Sequence, residues 1–179
     1  ITEHWSRYHR EGAFPASRLH LWFTRLVVRD AAYVCPVSLN LEQSMKQWGL
    51  QNKRYVRVGN VVDTDVFSLR PTPQVSEKPV QFLHVSWLRD DAKNISGLLR
   101  VLARLKDDPS LTEMEKPFFL RLVGEGNDKD QLISLAEELG LLPEYVSFVG
   151  IRKGETLVEE LHKSDALVMF SHFENQPVS

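Results

Sequence analysis

From residue 80 onward the chain repeats one pattern: a short, largely apolar run, then a stretch whose apolar residues fall three and four apart. The runs are Val80–Val85, Phe118–Val123, Tyr145–Val149 and Ala166–Phe170. Between them lie Asn94–Leu105, Asp128–Leu139 and Glu155–Leu161, with apolar residues on one helical side, as in Leu132, Leu135, Ala136 and Leu139. Asn127 is the expected N-cap of the second of these helices. Strands apolar on both faces, each followed by a crossover helix, predict a Rossmann-like parallel sheet with helices on both faces. Such a sheet takes its ligands beyond the carboxyl ends of its strands, so the loops after the apolar runs are where chemistry is expected.

The first part of the chain is less regular. Ser17 opens a helix with Leu19, Trp22, Phe23, Leu26 and Val27 on one side, Ala32–Cys35 reads as a short strand, and Ser38 to Trp48 reads as a helix stopped by Gly49. Tyr55–Val58 is a further expected strand, and three prolines between Ser68 and Pro79 mark a connection. Composition narrows the partners. A formal charge of -2 gives no basic excess for nucleic acid, and no apolar run approaches a membrane span. The single cysteine, Cys35, excludes an intrachain disulfide, and the six histidines show no metal-ligand spacing, so no metal site is expected. The class these features allow is a soluble, cytoplasmic α/β protein.

Four loops carry candidate residues. Lys93 stands at a helix entrance, where backbone N–H groups and the helix dipole favour a phosphate, with Arg89 near enough to assist; a solvated helix-start charge is the alternative. Trp87 is either a ligand wall or a cap on the sheet edge. Gly124 and Gly126 form a Gly-x-Gly turn that admits close approach of a ligand or a tight turn, but the third glycine of a dinucleotide fingerprint is missing. Gly150, Ile151 and Arg152 follow the third apolar run, where they either border a base or simply turn the chain. After the last run, Glu174 can accept hydrogen bonds from sugar hydroxyls, while the N–H groups of Asn175 and Gln176 can face a phosphate or sugar; an ordinary helix-start carboxylate is the alternative for Glu174.

Taken together, these segments resemble the retaining glycosyltransferases of the GT-B fold, family 4, also called glycosyl transferase group 1. Val85-Ser86-Trp87-Leu88 followed by Lys93 is similar to that family's valine-glycine-arginine-leucine and downstream lysine. Val58-Gly-Asn-Val-Val-Asp63 with Phe67 resembles its hinge, Val123–Gly126 its Val-Gly-x-Gly, Phe148-Val-Gly150 its third-strand end, and Ser171–Glu174 the start of its Glu-x7-Glu motif. Thr2-Glu-His4 resembles the Thr-x-His at a strand end of the N-terminal domain.

The resemblance implies residues 1–52 as the tail of an acceptor-side Rossmann-like domain, 53–79 as the connection, and 80–179 as an incomplete nucleotide-sugar-binding domain. It implies transfer of a sugar from a UDP- or GDP-type donor to a glycan or lipid-linked acceptor, with no cofactor, in bacterial polysaccharide synthesis at or near the inner face of the membrane. His4, Lys93 and Glu174 take the catalytic positions; Ser86, Trp87, Arg89, Gly124, Gly126, Gly150, Ile151, Arg152, Asn175 and Gln176 border the donor. Trp87 replaces the family arginine, and the partner of Glu174 would be residue 182, so the chain by itself is expected to be inactive. A nucleotide-sugar epimerase of the same fold and a silent nucleotide-binding module are the alternatives. The apolar side of Leu19–Val28 is expected to meet either the remainder of the first domain or a membrane.

Overall fold

A computed structural model describes residues 1–4, 8, 17–69, 79–111 and 117–172. The chain forms two compact units, one over Ile1–Val61 and one over Val62–His172.

In the first unit, β1 (Thr2–Glu3) pairs in parallel with β2 (Cys35–Pro36), Thr2 opposite Cys35. Helix α1 (Arg18–Asp30) is capped by Ser17, whose hydroxyl accepts the His20 N–H, and α2 (Leu39–Gln47) by Ser38 in the same way through Leu41. Val28, Val34, Val37, Leu41, Met45 and Leu50 form the core. The strand expected over Tyr55–Val58 shortens to a single bridge between Tyr55 and Val34, followed by one bond from Val58 N–H to the Pro36 carbonyl at 3.1 Å. The pairing run expected over Ala32–Cys35 likewise shifts to Cys35–Pro36. On α1 the expected apolar side exists but faces outward: Leu19, Trp22, Phe23 and Val27 are each more than half exposed, while the opposite side buries Val28.

The second unit contains a four-stranded all-parallel sheet in the order β5-β4-β3-β6. Its strands are β3 (Val80–Val85), β4 (Phe118–Val123), β5 (Val146–Gly150) and β6 (Ala166–Leu167). Val80 to Val85 lie in unbroken register against Phe118 to Val123. Helices α4 (Ile95–Lys106) and α5 (Lys129–Glu138) cover one face, where Ile95, Leu99, Leu102, Leu120, Leu122, Leu132 and Val146 make the main core. Helix α6 (Glu155–His162) covers the other face, with Leu157 against Leu83 and Val123 and Phe67 packed alongside. A four-residue helix, α3 (Asp90–Lys93), precedes α4.

Two expectations need correction here. Asn127 is not the cap of α5; Asp128 holds that position, and its carboxylate is turned to Asp90 instead. Among the described residues the last strand pairs at Ala166 and Leu167, with Val168 N–H still bonded to the Leu83 carbonyl at 2.8 Å, and not through Phe170.

The order of strands places the site. The chain passes from β3 to β4 to β5 in one direction, then returns across the sheet through α6 to lay β6 on the free side of β3. The connections therefore diverge between β3 and β6. This is the topological switch point, and the crevice beyond the carboxyl ends of these two strands is the expected ligand position.

Candidate functional site

The loops that leave the sheet at this end are joined to one another by backbone hydrogen bonds. Ser86 N–H donates to the Val123 carbonyl at 3.1 Å, Leu88 N–H to that of Glu125 at 2.8 Å, Asp128 N–H to that of Leu88 at 3.3 Å, and Gly124 N–H to that of Gly150 at 3.0 Å. Three loops thus form one continuous rim. The glycines make this possible. A Cβ on Gly124 would lie 1.9 Å from the Ser86 carbonyl oxygen, and one on Gly126 would lie 2.2 Å from that of Leu88. Close approach is needed at both positions, and what approaches is the neighbouring loop.

Lys93 ends α3 and is half-buried. Asn94 follows in the left-handed region, φ 50°, and turns the chain into α4. The first turn of α4 is already engaged: Ser96 N–H donates to the Asp90 carboxylate at 2.7 Å. An aspartate therefore occupies part of the place that the sequence assigns to a phosphate, and Lys93 sits beside it in the chain rather than at an empty helix end. Asp90 is itself fixed, because its own N–H donates to the Asp128 carboxylate at 2.8 Å. Arg89 pairs with Asp91 at 2.8 Å, both side chains being over half exposed.

Trp87 is 58% exposed and Ile151 51% exposed on the rim, so Trp87 is not a buried cap on the sheet edge. Arg152 donates to the Ile151 carbonyl at 3.0 Å. On the β6 side, His172 N–H donates to the Ala92 carbonyl at 2.9 Å, which ties the segment after β6 to α3. Ser171 Oγ is buried there without a hydrogen-bond partner. Glu174, Asn175 and Gln176 lie outside the described residues.

The structure thus brings Ser86, Trp87, Arg89, Lys93, Gly124, Gly126, Gly150, Ile151 and Arg152 to one end of one sheet. His4 belongs to the first unit, exposed at the end of β1, where its backbone N–H donates to Glu3 Oε1 at 3.0 Å. A cavity of about 740 Å³ also opens in that unit, lined by Arg29, Asp30, Asn52, Lys53 and Arg54. It adjoins the residues that enter β2, the opposite strand end from His4. Among the described residues no cluster of three or more histidine, cysteine or carboxylate side chains has metal-binding geometry. None of their helices is long and apolar enough to cross a membrane.

Sequence reasoning missed His84, Asp90 and Asp128. His84 lies two residues before Ser86 on the same strand face, fully buried, a signal available in the alternation of β3.

The profile of the family described as glycosyl transferases group 1 matches residues 66–179. The chain belongs to that family. Solved structures share its fold. Sucrose-phosphate synthase from Thermosynechococcus elongatus superposes with TM-score 0.75 at 17% identity, over 99% of this chain and 45% of its own. Anabaena Alr3699/HepE, in complex with UDP and glucose, gives 0.69 at 18% identity, over 95% and 46%. The lipopolysaccharide outer core galactosyltransferase WaaB, in apo form, gives 0.61 at 23% identity, over 82% and 39%. The chain therefore spans less than half the length of each. No curated protein matches it significantly. In this group 1 glycosyltransferase domain, the family match includes β3 to β6 and every loop of the rim.

Proposed function

We propose that this chain supplies the donor side of a retaining GT-B glycosyltransferase of family 4, which moves a sugar from a UDP- or GDP-type nucleotide sugar to an acceptor hydroxyl. The observation that carries the reading is the convergence of the family-matched loops on the β3/β6 switch point, with Lys93 at its margin. The UDP in the Anabaena relative supports a nucleotide donor.

In the whole protein, the bond between the anomeric carbon and the diphosphate oxygen breaks, and its electron pair leaves with the diphosphate. A bond to the acceptor oxygen forms on the same face, and the proton of that oxygen passes to the departing diphosphate. Lys93 meets the charge that grows on the leaving group, held in place before the reaction rather than recruited during it. Gly150, Ile151 and Arg152 border the base. Glu174, Asn175 and Gln176 hold the sugar, and His4 takes the further catalytic role that the family resemblance implies. Trp87 stands in place of the family arginine, and Arg89, freed from Asp91, supplies that contact. A glycan or lipid-linked acceptor at the cytoplasmic face of a bacterial membrane is the partner this family resemblance supports.

The test is Lys93→Ala in the full-length enzyme. Loss of one preorganised charge at the leaving group is expected to lower turnover about 10²–10³-fold. Unchanged donor affinity and turnover would remove Lys93 from the mechanism.

A further inference from the structure

α1 is apolar on two opposite sides. At about 100° per residue, Leu21 and Val28 point one way, into the core of the first unit, and Leu19, Trp22, Phe23 and Val27 point the other. Each of those four is more than half exposed, and the Trp22 and Phe23 rings meet edge-on with centroids 4.9 Å apart. A helix needs one apolar side to fold onto a core. The second side is a contiguous surface strip that contains an aromatic pair.

The charge around this strip is positive. Arg18, Arg25 and Arg29 fall along one border of it, and the helix has a single acid, Asp30, which the Arg29 guanidinium holds at 2.8 and 3.0 Å. At the carboxyl end of α1 opens the cavity of about 740 Å³, where Lys53 and Arg54 join Arg29. Carbonyls that end a helix ordinarily repel an anion. Here the Asn52 side-chain amide covers those of Val28 and Ala31, donating at 2.7 and 2.8 Å. The whole first unit shares this sign. Residues 1–61 hold nine lysines and arginines against four aspartates and glutamates, a formal charge of +5, while 62–179 hold thirteen against twenty, or -7. The chain is nearly neutral overall, but its positive excess lies in the unit that carries the apolar strip.

We propose that α1 lies in the surface of a membrane containing anionic phospholipid, with Leu19, Trp22, Phe23 and Val27 among the upper acyl chains and Arg29, Lys53 and Arg54 at the headgroup phosphates. A bilayer offers an apolar layer bordered by negative charge, and this helix offers apolar side chains bordered by positive charge. Trp22 suits that boundary, since its ring is apolar and its N–H takes a partner at the headgroup level. The placement concerns the first unit alone, so it goes beyond the donor reading and does not depend on it.

The test is co-sedimentation of this chain with vesicles of phosphatidylglycerol and phosphatidylcholine in equal parts, and with vesicles of phosphatidylcholine alone. Expected is binding to the anionic vesicles that is tighter by about tenfold or more. Trp22→Ser with Phe23→Ser should weaken it about tenfold or more, and Lys53→Gln with Arg54→Gln should weaken it about fivefold for each cation removed. All four side chains are exposed, so both variants should melt with the parent. Equal binding to both kinds of vesicle, no binding, or binding unchanged in either variant would overturn the proposal. So would a dimer that the Trp22→Ser, Phe23→Ser variant cannot form, since a second copy would then cover the strip. Binding by this chain that the full-length enzyme lacks would overturn it as well, since other polypeptide would then cover the strip.

Discussion

Replacing Gly126 by alanine tests how the rim is held together. The added methyl would sit 2.2 Å from the Leu88 carbonyl oxygen and 2.6 Å from the Leu88 backbone carbon and nitrogen. Backbone cannot swing aside as a side-chain tip can, so the two loops must part by roughly an ångström to restore van der Waals distance. The bonds in the path are Leu88 N–H to Glu125 at 2.8 Å and Asp128 N–H to Leu88 at 3.3 Å. At about 0.5–1.5 kcal/mol each their weakening costs about 1–3 kcal/mol, comparable to an overpacked core position. For a chain of this size that corresponds to a melting point lower by about 3–10 °C. The assay is thermal and urea unfolding of Gly126→Ala beside Glu125→Ala, which trims only a half-buried i,i+4 ion pair with Lys129 at the start of α5. The control is expected to stay within about 0.5 kcal/mol of the parent. Nucleotide affinity should fall with Gly126→Ala at temperatures where the protein is still folded, since Ser86 and Leu88 move with the loop. A melting point and an affinity equal to those of the parent would refute the view that Gly126 serves loop-to-loop contact.

Arg121 and Glu160 form a largely buried ion pair at 2.9 Å, with the guanidinium also donating to Gln81 and Ser164. Arg121→Met should destabilise by up to about 3–5 kcal/mol, and Arg121→Met with Glu160→Leu by much less, because the single change leaves the largely buried Glu160 carboxylate with only the exposed Lys163 ammonium at 3.5 Å; chemical denaturation of both variants checks this. Tyr8 and Tyr55 are each pushed up to about 12, first by burial and then by a nearby carboxylate, Glu3 or Glu42. Between pH 10 and 12 the unfolded chain has lost these protons while the folded one keeps them, so stability falls as pH rises through that window and is independent of these groups below it. Unfolding at stepped pH should show the slope, and Tyr55→Phe should reduce it.

The sheet of the second unit was legible because its strands are bounded apolar runs and its helices carry apolar residues at clean helical spacing. β3 and β4 fall where the periodicity puts them. The first unit was less so. Tyr55–Val58 has strand-like residues, but how much of such a run is paired depends on a segment some twenty residues earlier, and there only Val34 bridges it. The outward apolar side of α1 shows the same limit: spacing identifies a face, not what covers it. At the site, the Gly-x-Gly turn was visible as a demand for close approach, but the approaching atoms belong to Leu88 and Ser86, nearly forty residues away in sequence. Asp90 and Asp128 were missed for a similar reason, since a carboxylate capping another loop's N–H leaves no local pattern. The partnership of His84 with Val168 depends on strand order alone, which no window of sequence contains.

The central claim is that the rim at the β3/β6 switch point binds the nucleotide of a sugar donor. The most direct test is titration of the chain with UDP, GDP and ADP while its backbone amide resonances are followed. The account predicts saturable binding of at least one nucleotide, with shifts concentrated at residues 86–93, 124–127, 150–152 and 168–172. Absence of binding, or shifts confined to the cavity around Asn52 and Arg54, would contradict it.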